Sequence, residues 1–485
     1  KRYLAIVGPV IEKISREFPD KIIMPVLYNH TCEFPPLNFD LSTFKQDNVI
    51  FWYCNWPRDK RHPLDISAEI NPNLNANFRA MQAWGHQNVP VLVSEHWKKY
   101  KARSFPDLDP DMIFNDHRLI KNTVRGKGVS LFDACPGDWY THEINHYTFA
   151  KSAWNPDRNI EAFLDDYCRS RYGKAFEPMK AYIKQIGQAM KYRSYPGRPP
   201  DDPLGTLPKT LGQLEKCQHS INTAKKITHK DTKALRFVEK TEASLRYVIA
   251  DLRSMYHEFR FQQDGNIEAL EKAVKDQKLI MELVKNNKGV ILDGHGAWMR
   301  QYGTIPPRLA HNIQLLHTLK NPDPKNVALA ANGAKILSVP EGTRPAQAYG
   351  WMGAETVING VTGGGLFDFF DIRGLRIPHC EVSNPPEPAT FEIKLSETAE
   401  VNTVRIHQIE EGPRDRRAYK VTVSLAQPGE DYRQVGSYKL IGAAPTRGHE
   451  MKIPSQKADR IKLDFEDFED PTVLGIIEIE VFRAN

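Results

Sequence analysis

Apolar residues change rhythm three times along this chain of 485 residues. Over residues 1–173, short apolar runs alternate with helical stripes. In RYLAIVGPVIEKISREFP, Ile6, Val10, Ile14 and Phe18 fall near one helix face, and Pro19 ends the pattern. KIIMPVLYNH, NVIFWYCNW, VPVLVSEHW and VSLFDACPGDW then read as four strands. NPNLNANFRAMQAWGH and DPDMIFNDHRLIKNTVRGKG read as helices between them. In NPDRNIEAFLDDYCRSRYG, Ile160, Phe163, Leu164, Tyr167 and Cys168 form one buried stripe, with Gly173 as its stop.

Strand-helix alternation with apolar strands predicts a parallel sheet covered by helices. A closed (β/α)8 TIM-type barrel needs eight strands. Residues 1–173 supply four, so they are read as the C-terminal half of a barrel whose first strands lie upstream of Lys1. An open four-stranded α/β sheet is the alternative. Residues 174–295 carry long amphipathic stretches and no strand pattern, which predicts a helical bundle. Residues 296–325, with Pro306-Pro307 and NPDP, are read as a linker. From residue 326 to 485, segments such as ATFEIKLSE, VNTVRIHQ and LGIIEIEVF alternate at period two, which predicts an antiparallel β-sandwich of jelly-roll type. The fold class is therefore α/β plus β.

Composition narrows the function classes. The formal charge is only +6 over the whole length, and no long basic run is present, which argues against nucleic acid as a partner. No apolar run reaches the ~18–20 residues of a membrane span. The six cysteines form no C-x-x-C pair, so zinc-ribbon and thioredoxin-type motifs are excluded.

In parallel β/α units, chemistry collects at the carboxyl ends of the strands. The four predicted strand ends supply Tyr28 and His30, then Trp52 and Trp56, then Glu95 and Trp97, then Asp133, Asp138 and Trp139. Aromatic faces can cover the C–H face of a pyranose, and paired carboxylates can serve as general acid and as nucleophile or base. Asp133 and Glu95 are the candidate acid/base and partner carboxylate, with Asp138 a third catalytic candidate. Tyr28, His30, Trp52, Trp56, Trp97 and Trp139 are candidate substrate contacts. Each has a plainer reading. Glu95 can cap the next loop, Asp138 can be a helix N-cap, Trp52 and Trp139 can be core, and His30 can be a hydrogen-bonded rim residue.

His142-Glu143-Ile144-Asn145-His146 spells the H-E-x-x-H pattern of zinc peptidases. The extended form fails, since Phe149 and Ser152 stand where Gly and His are required. A third ligand would have to come from Glu161, Asp165 or Asp166. The competing reading is a covering helix with Ile144, Tyr147, Ala150 and Trp154 inward.

Several segments together resemble a bacterial family known as domain of unknown function 4838. They are Pro19–Lys21, Tyr28 with Pro35-Pro36, and Lys151 through Tyr172-Gly173-Ala175, all within residues 1–190. The family includes glycoside hydrolase family 163. The resemblance implies a retaining-glycosidase barrel and endo-β-N-acetylglucosaminidase action on complex glycans. Asp133 stands where the family often places an acid or amide, whereas an acid at the Glu95 position is no fixed feature. Residues 326–483 resemble the discoidin (coagulation factor 5/8 type C) family, through NVALAANGAKILSV, GAETVINGV, VNTVRIHQ and LGIIEIEVF. That resemblance implies a galactose-binding-like sandwich and a structural calcium near Asn359, Thr362 and Glu478, although Asn359 replaces the usual Asp. The expectation is a secreted, periplasmic or cell-surface protein with a polysaccharide or glycoprotein glycan as partner and no required cofactor. A non-catalytic glycan-binding protein with a degenerate barrel is the alternative, and a zinc metallopeptidase the third.

Overall fold

The computed structural model describes residues 2–28, 34–36, 39–54, 62–65, 72–95, 106, 108–124, 128–131, 139–191, 202–291, 305–345, 357–361, 380–408, 417–440, 448–469 and 471–484. The chain divides into two compact units. One comprises residues 1–193, 210–248 and 287–292, and the other residues 194–209, 249–286 and 293–485.

The first unit contains a four-stranded parallel sheet in the order β1 (Val26–Leu27), β2 (Phe51–Cys54), β3 (Val91–Glu95), β4 (Gly128–Leu131). Register pairs Val26 with Trp52, Trp52 with Leu92, and Leu92 with Gly128. Strand side chains alternate between faces. Leu27, Tyr53 and Val93 therefore share one face and are buried, as is Phe51. This face packs on α1 (Arg2–Glu17) and α2 (Pro72–His86) through Leu4, Ile11, Met81 and Trp84. The opposite face carries Val26, Trp52 and Leu92, none of them fully buried.

The face of α1 differs from the predicted one. Leu4, Gly8, Ile11 and Ser15 are buried, whereas Ile6 is 71% and Val10 54% exposed. Helix α1 carries two apolar stripes, and hydrophobic periodicity alone does not say which one meets the sheet.

α3 (Pro110–Leu119) begins at an Asp109 N-cap that accepts the Met112 N–H, with Pro110 at the first position, as helix starts favour. After it come α4 (Trp139–Trp154), α5 (Ile160–Tyr172) and α6 (Phe176–Lys191). The α5 stripe of Phe163, Leu164, Tyr167 and Cys168 is buried, and the helix ends at Gly173 with φ 55. α4 departs from expectation. Its buried residues are Thr141, His142, Ile144, Asn145, Thr148 and Ser152, while Ala150 is exposed and Trp154 is 92% exposed. Thr148 and Ser152 bury their hydroxyls by donating to the Ile144 and Thr148 carbonyls, both at 2.7 Å. Polar residues satisfied within their own helix can face a core.

Two long helices follow, α7 (Pro203–Thr228) and α8 (Thr232–Asp264). The first unit takes residues 210–228 and 232–248 of them. The second unit takes residues 249–264 of α8, together with α9 (Ile267–Asn286) and α10 (Ile305–Lys320). The expected linker therefore contains a helix. α10 holds Arg308, which is fully buried. It donates to Asp251 at 3.0 Å, to Ser254 at 3.2 Å and to Glu258, and Gln277 and Asn312 also donate to Glu258.

The C-terminal strands run from β5 (Lys335–Ser338) and β6 (Thr343–Pro345) through β7 (Cys380–Ser383), β8 (Ala389–Gln408), β9 (Ala418–Ala426), β10 (Arg433–Lys439), β11 (His449–Phe468) and β12 (Val473–Arg483). Their order is β10-β9-β11-β8-β12-β7-β6, with β5 on β8, and all pairs are antiparallel. The first part of β8 pairs with β5 and with Arg460–Phe465 of β11. Its last part pairs with β12 and with the first part of β11. Register shifts separate the two parts, and such irregularities bend strands. Residues from both halves, including Phe391, Ile406, Val423 and Ile479, enter one core. The chain is thus α/β plus an antiparallel β region of sandwich type.

Candidate functional site

In α/β folds, ligands bind outside the carboxyl ends of the parallel strands. Asp133, Asp138, His30, Trp56 and Trp97 lie outside the described residues. Glu95 is the last residue of β3, in register with Leu131. Trp52 lies mid-strand on the partly covered face, and Tyr28 just after β1 is 45% exposed. Trp139 opens α4, half exposed, and its ring stacks on the His146 imidazole with centroids 4.1 Å apart at 13°.

The H-E-x-x-H residues are otherwise occupied. His142 is buried, and Glu143 is ion-paired with Arg171 of α5. Burial pushes the Glu143 carboxyl up, and Arg171 opposes that shift. The possible third ligands are also engaged. Glu161 and Asp165 pair with Lys180, Glu161 also with Lys184, and Asp166 with Arg158. Among the described residues, no group of three His, Cys, Asp or Glu is placed to hold a metal ion.

A pocket opens where the segment entering α3 meets α4, α5, α6 and α8. Pro106 and Leu108 line it from the first, and Tyr140, Thr141 and Ile144 from α4. Tyr167 and Tyr172 come from α5, Tyr182 and Ile183 from α6, and Lys240, Thr241 and Ser244 from α8. Leu108 and Tyr140 stand at the starts of the helices that follow β3 and β4, so the pocket belongs to the carboxyl side of the sheet. Gly187 lets α6 approach closely: a Cβ there would lie 2.4 Å from the Leu108 carbonyl oxygen. Thr141 donates to the Val290 carbonyl at 2.6 Å, and its oxygen lies 3.2 Å from the Ser244 hydroxyl. The Lys240 ammonium lies 3.4 Å from the Tyr140 ring centroid. A hydrogen bond from Lys240 holds the Tyr140 hydroxyl below the usual tyrosine range. Sequence reasoning missed this pocket, because Lys240 and Thr241 lie in an amphipathic stretch read only as part of a helical bundle. The available signal was the run of Tyr140, Tyr147, Tyr167, Tyr172 and Tyr182 over consecutive helices.

In the C-terminal region, Glu478 is fully buried and accepts the Gly360 N–H at 2.9 Å. Asn359 accepts the Val361 N–H at 2.9 Å, and Gly360 has a φ of 81 that suits glycine. Thr362 lies outside the described residues. Burial raises the Glu478 carboxyl well above its usual range, against the backbone donors of Gly360, Asn359 and Val361. Its second oxygen, Oε2, has no hydrogen-bond partner among the described residues. A buried carboxylate with one oxygen unmatched fits the hard-oxygen chemistry of calcium.

Residues 1–184 match the model of a family described as domain of unknown function, DUF4838. No curated protein matches the chain. Among solved structures, the chain is similar to CpGH89CBM32-5 from Clostridium perfringens, solved with GalNAc-β-1,3-galactose. That match has 15% identity, covers 31% of this chain and 93% of that one, and has a TM-score of 0.23. The lectin domain of lectinolysin, complexed with Lewis B antigen, matches at 17% identity over 34% of this chain and 99% of that one, with a TM-score of 0.24. A family 89 glycoside hydrolase from Clostridium perfringens matches at 21% identity over 22% of this chain and 11% of that one, with a TM-score of 0.19. Among the described residues, no helix is long and apolar enough to cross a membrane.

Proposed function

We propose that this chain is a secreted carbohydrate-active protein of glycoside hydrolase type, acting on complex glycans, with a glycan-binding C-terminal sandwich. The observation that carries the reading is the tyrosine-lined pocket on the carboxyl side of a parallel sheet. Tyrosines give a pyranose both an apolar face and hydroxyl partners, and this side of such a sheet is where α/β folds keep their ligands. The resemblance of residues 1–190 to a family containing glycosidases points the same way.

The barrel belongs to this proposal. Among the described residues, Val26, Trp52 and Leu92 are incompletely covered on one face, β1 is an edge strand of the sheet, and α1 shows Ile6 and Val10 to solvent. Further β/α units would cover all three. In the reaction, Asp133 protonates the leaving glycosidic oxygen, and Glu95 is the partner carboxylate at the anomeric carbon. Trp52, Trp97 and Trp139 form the platform for the sugar ring. In the sandwich, Glu478 Oε2 would hold a calcium ion, which supplies structural rigidity and no catalysis.

One observation favours a second reading, glycan binding without turnover: no carboxylate is among the described residues that line the pocket. Incubation with a glycoprotein bearing complex N-glycans separates the two. Release of glycan, abolished by Asp133→Asn, supports the hydrolase, and retention without release supports the binding protein.

A further inference from the structure

Positive charge gathers at the end of the α7–α8 hairpin. Residues 225–240 hold six Lys or Arg against two Asp or Glu, a large part of the chain's formal +6. The two helices run antiparallel here. Lys225 of α7 pairs with Glu242 of α8 at 2.7 Å, and the Asp231 N–H donates to the Thr228 carbonyl to close the turn. The C-terminal end of α5 adjoins the same turn. Arg171 lies 3.5 Å from the Phe237 ring centroid, and a Cβ on Gly173 would lie 3.4 Å from the Asp231 carboxylate. Lys174, the next residue, therefore joins Lys226, Lys230, Lys233 and Arg236 at one end of the first unit, and all five are exposed.

Structural uses account for few of these charges. Lys225 is held by Glu242, and Lys226 in the last turn of α7 complements the helix dipole. Lys233 lies in the first turn of α8, where the dipole disfavours a cation. Among the described residues, none of the five exposed cations forms an ion pair. Asp231 is engaged in capping α8, where it accepts the Ala234 N–H at 3.0 Å. Glu177 and Glu239 are the exposed acids close by in sequence. Like charges held together in this way repel, and an anionic partner relieves that repulsion.

The rings at this end narrow the partner. Arg169 lies 3.5 Å from the Phe176 centroid, as Arg171 does from Phe237, so one face of each ring is covered by a guanidinium. Single-stranded nucleic acids are held by stacking bases on open aromatic faces. Membrane surfaces are held by an apolar helix face, and Ile227 is the single exposed large apolar side chain in residues 225–240. Recognition by charge alone suits sulfate groups spaced along a polysaccharide.

We propose that the end of the α7–α8 hairpin, with the end of α5, binds a sulfated polysaccharide chain. The choice of a glycan rests on the reading above, whereas the surface itself is separate from the tyrosine-lined pocket.

Titration calorimetry of the full chain with heparin as the probe tests it. Binding is expected at about 50 mM salt and should weaken roughly hundred-fold by about 200 mM, as about five contacts to a polyanion supply. Lys226→Gln, Lys230→Gln and Lys233→Gln together should weaken binding at least roughly ten-fold and flatten the salt dependence. These side chains are exposed and unpaired, so the melting temperature should hold. Lys275→Gln, Lys278→Gln and Lys285→Gln remove the same charge from exposed positions of α9 and should leave binding within about two-fold. No heparin binding, or an equal loss in both triple variants, overturns the inference. Equal or tighter binding of poly(dT) or of phosphatidylserine vesicles overturns it as well, by changing the partner. Each of these results leaves the N-glycan measurement above untouched, and failure of that measurement with heparin binding intact leaves this surface standing.

Discussion

Glu143 of α4 is ion-paired with Arg171 of α5, and both side chains are three-quarters or more buried. The glutamate that a zinc peptidase would use as its base is therefore a structural clamp between two helices. Arg171 also lies 3.5 Å from the Phe237 ring centroid on α8, so the clamp reaches a third helix. Glu143→Gln is expected to lower stability by about 1–2 kcal/mol, as for a partly buried charge-assisted bond. Elemental analysis of the purified protein should find no stoichiometric zinc, and one zinc per chain would contradict this account.

Arg308 carries the next prediction. Its guanidinium is fully buried between Asp251 and Glu258. Burial alone would lower its affinity for the proton, but the two carboxylates outweigh that and hold it charged. Arg308→Met leaves two acids buried without their cation, so it should cost about 3–5 kcal/mol. Adding Asp251→Asn and Glu258→Gln should recover much of that loss. Urea denaturation of the single and triple variants checks both, and a neutral Arg308→Met contradicts the assignment.

His311, one helical turn further on, is fully buried, and burial pushes its imidazole down to about 4. In the unfolded chain it titrates near 6.5. Its contribution to stability is therefore complete above about pH 6.5 and is lost as pH falls toward 4, by about 3 kcal/mol. Stability measured between pH 7 and 4 should fall less in His311→Gln than in the wild type.

Glu478 gives the opposite slope. Its folded-state pKa is raised by burial, so the C-terminal region without calcium should lose stability as pH rises through that value. Calcium should restore it near neutral pH and raise the melting temperature. Glu478→Gln should abolish both the pH slope and the calcium response. A wild-type protein indifferent to calcium and chelator would contradict the calcium proposal.

How far these features were legible depended on where polar groups found partners. The α5 stripe was readable because Phe163, Leu164, Tyr167 and Cys168 are apolar and buried together. The strand cores of β2 and β3 were readable for the same reason. The α4 face was not, because Thr148 and Ser152 satisfy their hydroxyls inside the helix and so can replace apolar residues at the core. Arg308 hid in an expected linker, since only the fold brings Asp251 and Glu258 to it from another helix. For the site, the strand-end rule pointed to residues of which His30, Trp56, Trp97, Asp133 and Asp138 lie outside the described ones. Lys240 and Tyr182 stayed invisible because they come from helices far along the chain, and no local spacing links them to Tyr140.

The most direct test of the central claim is mass spectrometry of a complex-type N-glycosylated protein after incubation with this chain. The account predicts free glycan in the supernatant with the wild type and none with Asp133→Asn. Intact glycoprotein throughout, with no retention of glycan by the chain, would contradict it.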